Sequence, residues 1–215
     1  MASTKKPPGA GMFLPPAVAT LPQLHDAVQR CQGCDLYRNA TQAVLGDGPS
    51  TARIVLVGEQ PGDKEDLAGA PFVGPAGNLL DRALAEAGIN RADVYITNAV
   101  KHFKFEERGK RRIHKKPSET EIVACLPWLE AELAVIRPRI IVCLGATAAR
   151  AVIGKTHRLL QERGRFFPHP LAESVTATIH PSAILRSPDA AQRLADYGAF
   201  LEDLKAVRQR MTEAA

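Results

Sequence analysis

The sequence has no long run of hydrophobic residues, although apolar types make up 45% of it. No stretch approaches the roughly 20 consecutive apolar residues that a membrane-spanning helix needs. Near the N-terminus, Lys5 and Lys6 precede four prolines, at positions 7, 8, 15 and 16, that interrupt any signal-like apolar segment. We therefore expect no membrane partner, no secretion signal and a cytoplasmic location.

Cysteine is also scarce, with four residues in a chain of 215. Two disulfides would be possible, but a chain of this size without an export signal favours metal binding or redox use. Cys31-x-x-Cys34 has metal-ligand spacing, and the further candidates are His102, Cys125 and Cys143. Cys143 lies in an apolar run, where a free cysteine is a small core residue. We therefore prefer the set Cys31, Cys34, His102 and Cys125, for either zinc or an iron–sulfur cluster.

The chain contains no phosphate-binding loop and no internal repeat. Gly58-Glu-Gln-Pro-Gly62 follows an apolar run, yet no Gly-Lys-Ser/Thr comes after it, which argues against ATP. Its glycines let the backbone turn sharply and approach a flat ligand closely. The alternative is a strand-to-helix turn without a functional role.

Positive charge is concentrated in one stretch, 101–117, which contains eight Lys or Arg and two Glu. The whole chain is +5, so the remainder sums to −1. A near-neutral protein with one basic loop is typical of a polyanion site, most often for nucleic-acid phosphates. Within this loop, His114 could simply be a passive neighbour of those phosphates.

Short apolar runs alternate with amphipathic segments along the chain. We predict strands at about 53–57, 94–97, 139–144 and 174–178, with a capping box of Ser118 and Glu121 before one of the helices. This order predicts an α/β fold of three layers, α/β/α, with a central four-stranded parallel sheet. We expect a disordered Pro- and Gly-rich tail over 1–20 and a single domain over 21–211.

Polar residues follow several of the predicted strands. Ligands bind parallel sheets at the carboxyl ends of the strands, and here those ends carry 58–62, Asn98, Gly145 and His180. We therefore predict a ligand site at this edge.

Each residue of that site also has a structural interpretation. Asp63 and Asp66 could activate water or bind a metal, or they could begin a helix. Phe72 could stack on a base or plug the core. Asn98 could read a base edge or cap a loop, and His180 could stabilise negative charge or be structural.

Taken together, the motifs resemble the uracil-DNA glycosylase superfamily over roughly residues 31–204. The motifs are Cys31-x-x-Cys34, Gly58-Glu-Gln-Pro-Gly62, Pro71-Phe-Val-Gly-Pro-Ala-Gly77, Asn98-Ala-Val-Lys101, Cys125-Leu-Pro-Trp-Leu129, Leu144-Gly-Ala-Thr-Ala148 and His180-Pro-Ser-Ala-Ile-Leu-Arg186. The most similar branch is the iron–sulfur family 4 type. Within it, Gln60 and Lys110-Arg-Arg-Ile-His114 resemble the UdgX type, which becomes covalently attached to uracil-containing DNA.

The resemblance implies a role for each group of residues. The implied catalytic residues are His114, Glu59, Asp63 and His180. The implied substrate-binding residues are Gly58, Gln60, Pro61, Gly62, Asp66, Phe72 and Asn98. The implied DNA-phosphate contacts are Lys101, Lys110, Arg111, Arg112, Lys115, Ser182 and Arg186. A 4Fe–4S cluster would be held by Cys31, Cys34, His102 and Cys125. Because family 4 members generally have Cys at the place of His102, Cys143 stays an alternative fourth ligand.

The resemblance also implies a reaction. Uracil is flipped out or taken from single-stranded DNA, its N-glycosidic bond is cleaved, and His114 captures C1′ of the deoxyribose as a covalent adduct. We expect a monomer acting on uracil-containing DNA. The alternatives are a conventional glycosylase that turns over and a non-catalytic, metal-containing DNA-binding module.

Overall fold

A five-stranded sheet forms the centre of the structure, a computed structural model that describes residues 8–16 and 19–213. The described strands are β1 (Ile54–Gly58), β2 (Val94–Asn98), β3 (Phe105–Arg108), β4 (Arg111–His114), β5 (Ile140–Leu144), β6 (Phe167–His169) and β7 (Ala172–Thr178). The described α-helices are α1 (Leu21–Val28), α2 (Asp63–Ala68), α3 (Pro75–Glu86), α4 (Glu119–Ile136), α5 (Ala146–Val152), α6 (Leu159–Glu162), α7 (Pro181–Leu185) and α8 (Ala190–Glu213).

The central sheet has the order β2-β1-β5-β7-β6. Its first four strands are parallel, which confirms the predicted α/β class and parallel core. The fifth strand, β6, pairs antiparallel with β7 at the edge of the sheet. It was not predicted, since a three-residue Phe-Pro-His strand shows no period and contains the residue that fits sheets only at an edge.

Side chains of β1 alternate between two apolar layers. Leu56 packs in a cluster with α3, α7 and α8, whereas Val55 and Val57 pack in a second cluster with α4 and α5. All three side chains are fully buried. Helices therefore cover both faces of the sheet, as the three-layer prediction requires.

A third apolar cluster lies under α1 and α4 and includes part of the N-terminal segment. Ala10–Phe13 forms a short 3-10 helix, and Ala10 is buried. The nitrogen of Gly9 also donates to the carbonyl of Gly33 at 3.0 Å. The predicted disordered tail is therefore wrong for these residues, because their apolar side chains find a surface to pack on. Residues 1–7 and 17–18 lie outside the described residues.

The basic stretch folds into a β-hairpin rather than an irregular loop. β3 and β4 pair antiparallel, with Phe105 opposite His114 and Gly109 in the left-handed region at φ 60°. The predicted capping box follows. Ser118 Oγ accepts from the nitrogen of Glu121, and Glu121 accepts from the nitrogen of Ser118. The hairpin is therefore bounded by the end of β2 on one side and a capped α4 on the other.

The last helix, α8, packs one face on the central sheet. The sequence pattern of this helix predicts Leu194, Tyr197, Leu201, Leu204 and Val207 on one inward face. The last four pack in the core, but Leu194 is 74% exposed, so its predicted inward position is wrong. Of the helices in residues 8–16 and 19–213, none combines the length and the apolar character that a membrane crossing requires.

Candidate active site

A cavity of about 720 Å³ opens at the carboxyl edge of the central sheet. Its wall contains Glu59 after β1, Asn98 at the end of β2, Gly145 after β5 and His180 after β7. His114 reaches it from the hairpin. The predicted gathering of strand-end residues is therefore confirmed.

The Asn98 side chain meets this cavity with an unused acceptor. Asn98 is 2% exposed, and its Oδ1 is buried with no hydrogen-bond partner among the described residues. Gly58 makes room for it, because a Cβ at that position would lie 2.3 Å from Oδ1. Pro61, from the same turn, is buried but does not line the cavity. An unpaired buried amide oxygen costs free energy until a donor reaches it, so Asn98 is prepared for a ligand N–H.

Phe72 forms another part of the wall and has a strained backbone. Its φ is 56°, a region that non-glycine residues rarely occupy. Gly77 permits this conformation, since a Cβ there would lie 1.5 Å from the Phe72 carbonyl oxygen. The ring stacks near His180, with centroids 5.7 Å apart and planes at 28°. Phe72 and His180 thus present an aromatic surface that fits a flat ring.

One residue that sequence reasoning missed, Glu65, supports this wall. Glu65 accepts from the nitrogen of Gly62 at 3.1 Å and from the nitrogen of Gly74 at 2.8 Å. It thereby joins the turn after β1 to the loop that holds Phe72. Its position at the third residue of α2 is the signal, since Glu at this place commonly caps the helix start.

His180 is held in a defined orientation at the start of α7. Its Nδ1 accepts from the nitrogen of Ser182 at 3.1 Å, and the Ser182 hydroxyl lies 2.8 Å away. Burial, with smaller effects from Arg186 and His114, lowers the pKa of His180 to about 4. The ring is therefore neutral at pH 7, and because Nδ1 accepts, its proton is on Nε2, which can donate.

His114 lies at the edge of the cavity next to Glu59. Its Nε2 is 3.5 Å from Glu59 Oε1, and its side chain is 49% exposed. Burial and the Arg186 charge lower the pKa of His114, while Glu59 acts in the opposite direction. The second Glu59 oxygen accepts from the hydroxyl of Thr147, a residue of α5 that was also missed. The Leu-Gly-Ala-Thr-Ala motif was the available signal for it.

Gln60 connects the turn after β1 to the hairpin, a role that was not predicted for it. Its amide nitrogen donates to the carbonyls of Lys104 at 3.2 Å and Lys115 at 3.0 Å, and its oxygen accepts from the nitrogen of Lys104. The amide is thus engaged with backbone on both sides of the hairpin. Gln60 also lines the cavity, so its role in binding substrate stays a prediction, and the bonds of its amide help to fix the position of His114.

Arg112 also anchors the hairpin, and it does so through two aspartates that were predicted to act at the site. Its guanidinium pairs with Asp63 at 2.5 Å and with Asp66 at 2.6 Å. Asp66 is fully buried and accepts from the nitrogen of Thr41 as well. Neither aspartate lines the cavity. The structure therefore places Asp63 and Asp66 outside the cavity and engages Arg112 in ion pairs, which does not support the catalytic, substrate-binding and phosphate roles predicted for them.

Lys101 is a buried residue and not a phosphate contact. Its side chain is fully buried and pairs with Glu132 at 2.5 Å, while its ammonium also donates to Thr97 and to the carbonyl of Asn98. The prediction failed because Lys101 is the first residue of the basic stretch in the sequence, whereas its side chain points into the core. The signal lay in Glu132, an acidic residue on the apolar side of α4.

The remaining predicted phosphate contacts are accessible to different degrees. Lys110 and Arg111 are exposed on the hairpin, whereas Lys115 pairs with Glu106 at 2.5 Å. Arg186 and Ser182 line the cavity itself. Free positive charge is therefore found at the hairpin end and at the mouth of the cavity.

Three of the four cysteines share one apolar cluster. Cys31, Cys34 and Cys125 are buried there as free thiols. Burial raises the pKa of Cys34 to about 11 and that of Cys125 to about 12. Backbone and indole N–H groups point at the sulfurs, from Lys101 to Cys125 and from Trp128 to Cys31, both at 3.2 Å. Such donors stabilise thiolates that bind a metal.

The two candidates for the fourth ligand, His102 and Cys143, differ in their surroundings. Cys143 lies in a different apolar cluster, between β1 and β7, and is therefore wrong as the alternative ligand. His102 is 5% exposed, and burial lowers its pKa to about 4. Within residues 8–16 and 19–213, no three His, Cys, Asp or Glu side chains lie close enough together to bind one metal ion. A four-iron cluster holds its ligands farther apart than a single ion does.

Comparison with known proteins agrees with this arrangement of motifs. Residues 45–205 match the family model of the uracil DNA glycosylase superfamily. The chain is 35% identical over 175 residues to a type-4 uracil-DNA glycosylase of Pyrobaculum aerophilum, covering 78% of this chain and 86% of the relative. It is 40% identical over 163 residues to the type-4 enzyme of Thermotoga maritima, covering 75% and 81%. A type-5 enzyme of Pyrobaculum aerophilum is 31% identical, with 64% of each chain covered, so the similarity to type 4 is greater.

The match covers most of the central sheet and every strand end that forms the cavity, from β1 through β7 and into α8. The order of motifs, the parallel sheet and the cavity are all accounted for by one family. The chain belongs to the uracil-DNA glycosylase superfamily.

Proposed function

We propose that this protein removes uracil from DNA by cleaving the N-glycosidic bond. The observation that carries the proposal is the buried, unpartnered Oδ1 of Asn98 beside the surface formed by Phe72 and His180. Uracil is flat and presents an N–H next to carbonyl oxygens, so it supplies the missing donor. The names of the type-4 relatives support the same activity.

Each cavity residue has a defined task in this reaction. Phe72 stacks on the extruded base, and Asn98 accepts from its ring N–H while its amide can donate to a carbonyl. As the C1′–N1 bond breaks, both bonding electrons move to uracil. The Nε2–H of His180 then donates to the carbonyl oxygen that gains charge. A neutral donor suits this task, because it stabilises the anion without first being neutralised by it.

The second part of the proposal is that His114 captures the sugar. Bond cleavage leaves an oxocarbenium ion at C1′, which needs a nucleophile with a free electron pair. The lowered pKa of His114 keeps its imidazole neutral, and one ring nitrogen can then form a C1′–N bond. The imidazolium formed loses its remaining ring N–H proton to Glu59 or solvent, which balances the charge.

Anchoring of the hairpin supports capture by His114 over capture by water. Gln60 holds the backbone next to His114, and Arg112 ties β4 to α2. The ring of His114 also packs near the buried ring of Phe103, with centroids 6.0 Å apart. A nucleophile held in place adds faster than water that must first be positioned. Glu59, 3.5 Å from Nε2, orients the ring.

The test is the ratio of free uracil to protein with uracil-containing single-stranded DNA. We expect about one uracil per protein and an equal amount of protein–DNA adduct that survives denaturing electrophoresis. His114→Ser should release uracil over many turnovers without an adduct. His25→Ser, at an exposed histidine on α1, is the matched control and should behave as the parent. Release in excess of protein by the parent would instead show conventional turnover, and no release would show a binding module.

A 4Fe–4S cluster is the cofactor we propose, held by Cys31, Cys34, Cys125 and His102. The cofactor proposal is supported by the three cysteines that share one apolar cluster and by the N–H groups that donate to two of their sulfurs. Bound there, it would join α1 to α4 and supply a structural link. We expect a brown protein with absorption near 400 nm that Cys125→Ser abolishes, while Cys143→Ser keeps the colour. A colourless parent protein purified without oxygen would contradict this part alone.

We further infer that the protein acts as a monomer on single-stranded DNA. The exposed cations Lys110, Arg111 and Arg186 are grouped around the hairpin end and the cavity mouth. A single DNA strand can follow these cations into the cavity without the breaking of a base pair. Comparing uracil release from single- and double-stranded forms of one sequence tests this preference, and sedimentation tests the monomer.

A further inference from the structure

A second groove lies beside the cavity, between α4 and α5. Its volume is about 360 Å³, and it shares the wall residues Lys116 and Thr147 with the cavity. The two spaces are therefore adjacent. A chain that leaves the cavity on this side enters the groove directly.

The floor of the groove is apolar and its rim is basic. Ile122, Leu126 and Ala151 form apolar parts of the wall. The cations at the rim are Lys116, Arg150 and Lys155. Within the described part of the chain, Lys116 and Arg150 make no ion pair, and Lys155 pairs with Glu119 across the groove.

This combination fits a nucleotide. A base has an apolar face and the adjoining phosphates are anionic, so an apolar floor with free cations above it is complementary to both. The volume is near the lower end of the range for small-ligand sites, about 300–1,000 Å³, which admits one nucleotide and excludes a folded partner. Lys116 and Arg150 are available to phosphate without the loss of an ion pair, whereas Lys155 must leave Glu119 to bind one.

We propose that this groove binds the nucleotide adjacent to uracil in the same DNA strand, on one side only. The inference rests on the proposed function, since the strand is placed by the uracil in the cavity. Lys116, at the shared wall, contacts the phosphate between the two nucleotides. Arg150 and Lys155 contact the next phosphate. The groove thereby explains basic residues outside the hairpin that are not needed to read uracil.

The test uses short single-stranded substrates in which one deoxyuridine is extended by one to four nucleotides, either on its 5′ side or on its 3′ side. The parent protein should gain in rate of uracil release or adduct formation from the first extensions in one direction only. The variant Arg150→Gln/Lys155→Gln should lose this gain and keep the rate on the shortest substrate. In this variant, the plot of log affinity against log salt should become shallower by about 1.4, since each lost cation removes roughly 0.7 from its steepness for single strands.

The matched control is Arg193→Gln/Lys205→Gln on α8, which packs on the other face of the sheet. Both are exposed, and Lys205 pairs with Glu202 much as Lys155 pairs with Glu119. It should retain the directional gain and the salt slope. If both double variants behave alike, or if both directions of extension help equally, the groove is not a nucleotide site. Failure of the parent to release uracil from any substrate would instead contradict the proposed function.

Discussion

Asn98 belongs to two polar clusters, one in the core around Glu132 and one in the cavity. They differ in whether their polar atoms have hydrogen-bond partners. In the core, the Glu132 carboxylate accepts from Lys101, Tyr95, Thr97 and the backbone of Gly46, all within 3.0 Å. The backbone carbonyl of Asn98 belongs to this cluster, accepting from Lys101 at 2.7 Å. Its side-chain oxygen belongs to the cavity and has no partner among the described residues.

The difference separates structural polarity from functional polarity. A fully paired network has nothing left to offer a ligand, so it fixes the end of β2. An unpaired buried acceptor is costly in the free protein and favourable once a ligand donates to it. Substitutions in the first cluster should therefore change stability, and substitutions in the second should change activity.

The largest effect should come from Lys101→Met. It leaves the Glu132 carboxylate buried without its counter-charge, which costs about 3–5 kcal/mol of the free energy of unfolding. Urea denaturation measures this loss. Lys101→Met/Glu132→Leu should recover most of the stability, because no buried charge remains. A double variant as unstable as the single one would show that the pair itself stabilises the fold.

Asn98→Ala should lower activity and leave stability nearly unchanged. The rate of uracil release should fall about 10²–10³-fold, as for loss of one group that stabilises the transition state. The thermal midpoint should change little, because no hydrogen bond of the Asn98 side-chain oxygen is lost. Asn78→Ala, at an exposed position on α3, is the control for both measurements. A large fall in thermal midpoint with an unchanged rate would reverse our assignment of the two clusters.

A smaller effect concerns the pH dependence of adduct formation. Glu59 raises the pKa of His114 and Arg186 lowers it, so their removal should shift the acid limb in opposite directions. Protonated His114 has no free electron pair, so the rate falls as pH drops through its lowered pKa. Glu59→Gln should move this limb to lower pH, and Arg186→Gln to higher pH. Shifts in the same direction would contradict His114 as the titrating group.

The smallest effect should distinguish two neighbouring arginines of the hairpin. Arg111 is exposed, so Arg111→Gln should reduce the salt slope of DNA binding by about 0.7. Arg112 is engaged with Asp63 and Asp66, so Arg112→Gln should leave the slope unchanged and lower the adduct yield, because the hairpin loses its anchor. Equal slopes for both variants would show that Arg112 also contacts phosphate.

The sequence was sufficient to predict the sheet core and the position of the site, because both are marked by short stretches of neighbouring residues. Runs such as Ile54–Gly58 are apolar throughout because both faces of a parallel strand are covered. Asn98 and His180 follow such runs directly, so their meeting at one edge follows from topology alone. The edge strand β6 and the hairpin gave no comparable signal, since β6 is too short and β3 and β4 consist mostly of charged residues.

Charge was the weakest guide within the site. Lys101, Arg112 and Arg111 look alike in the sequence, yet the first is in the core, the second pairs with two aspartates and the third is exposed. The distinction depends on Glu132, Asp63 and Asp66, which are up to 49 residues away along the chain from their partners. Long-range pairing of this kind is decided by packing and not by local pattern.

The central claim, that His114 captures the deoxyribose, is tested most directly by mapping the adduct. The protein is incubated with uracil-containing single-stranded DNA, digested with protease and nuclease, and analysed by mass spectrometry. We predict a deoxyribose-linked peptide that contains His114, with the modification on its imidazole, and none from His114→Ser. A modification on another residue, or uracil release by the parent with no modified peptide, would contradict the account.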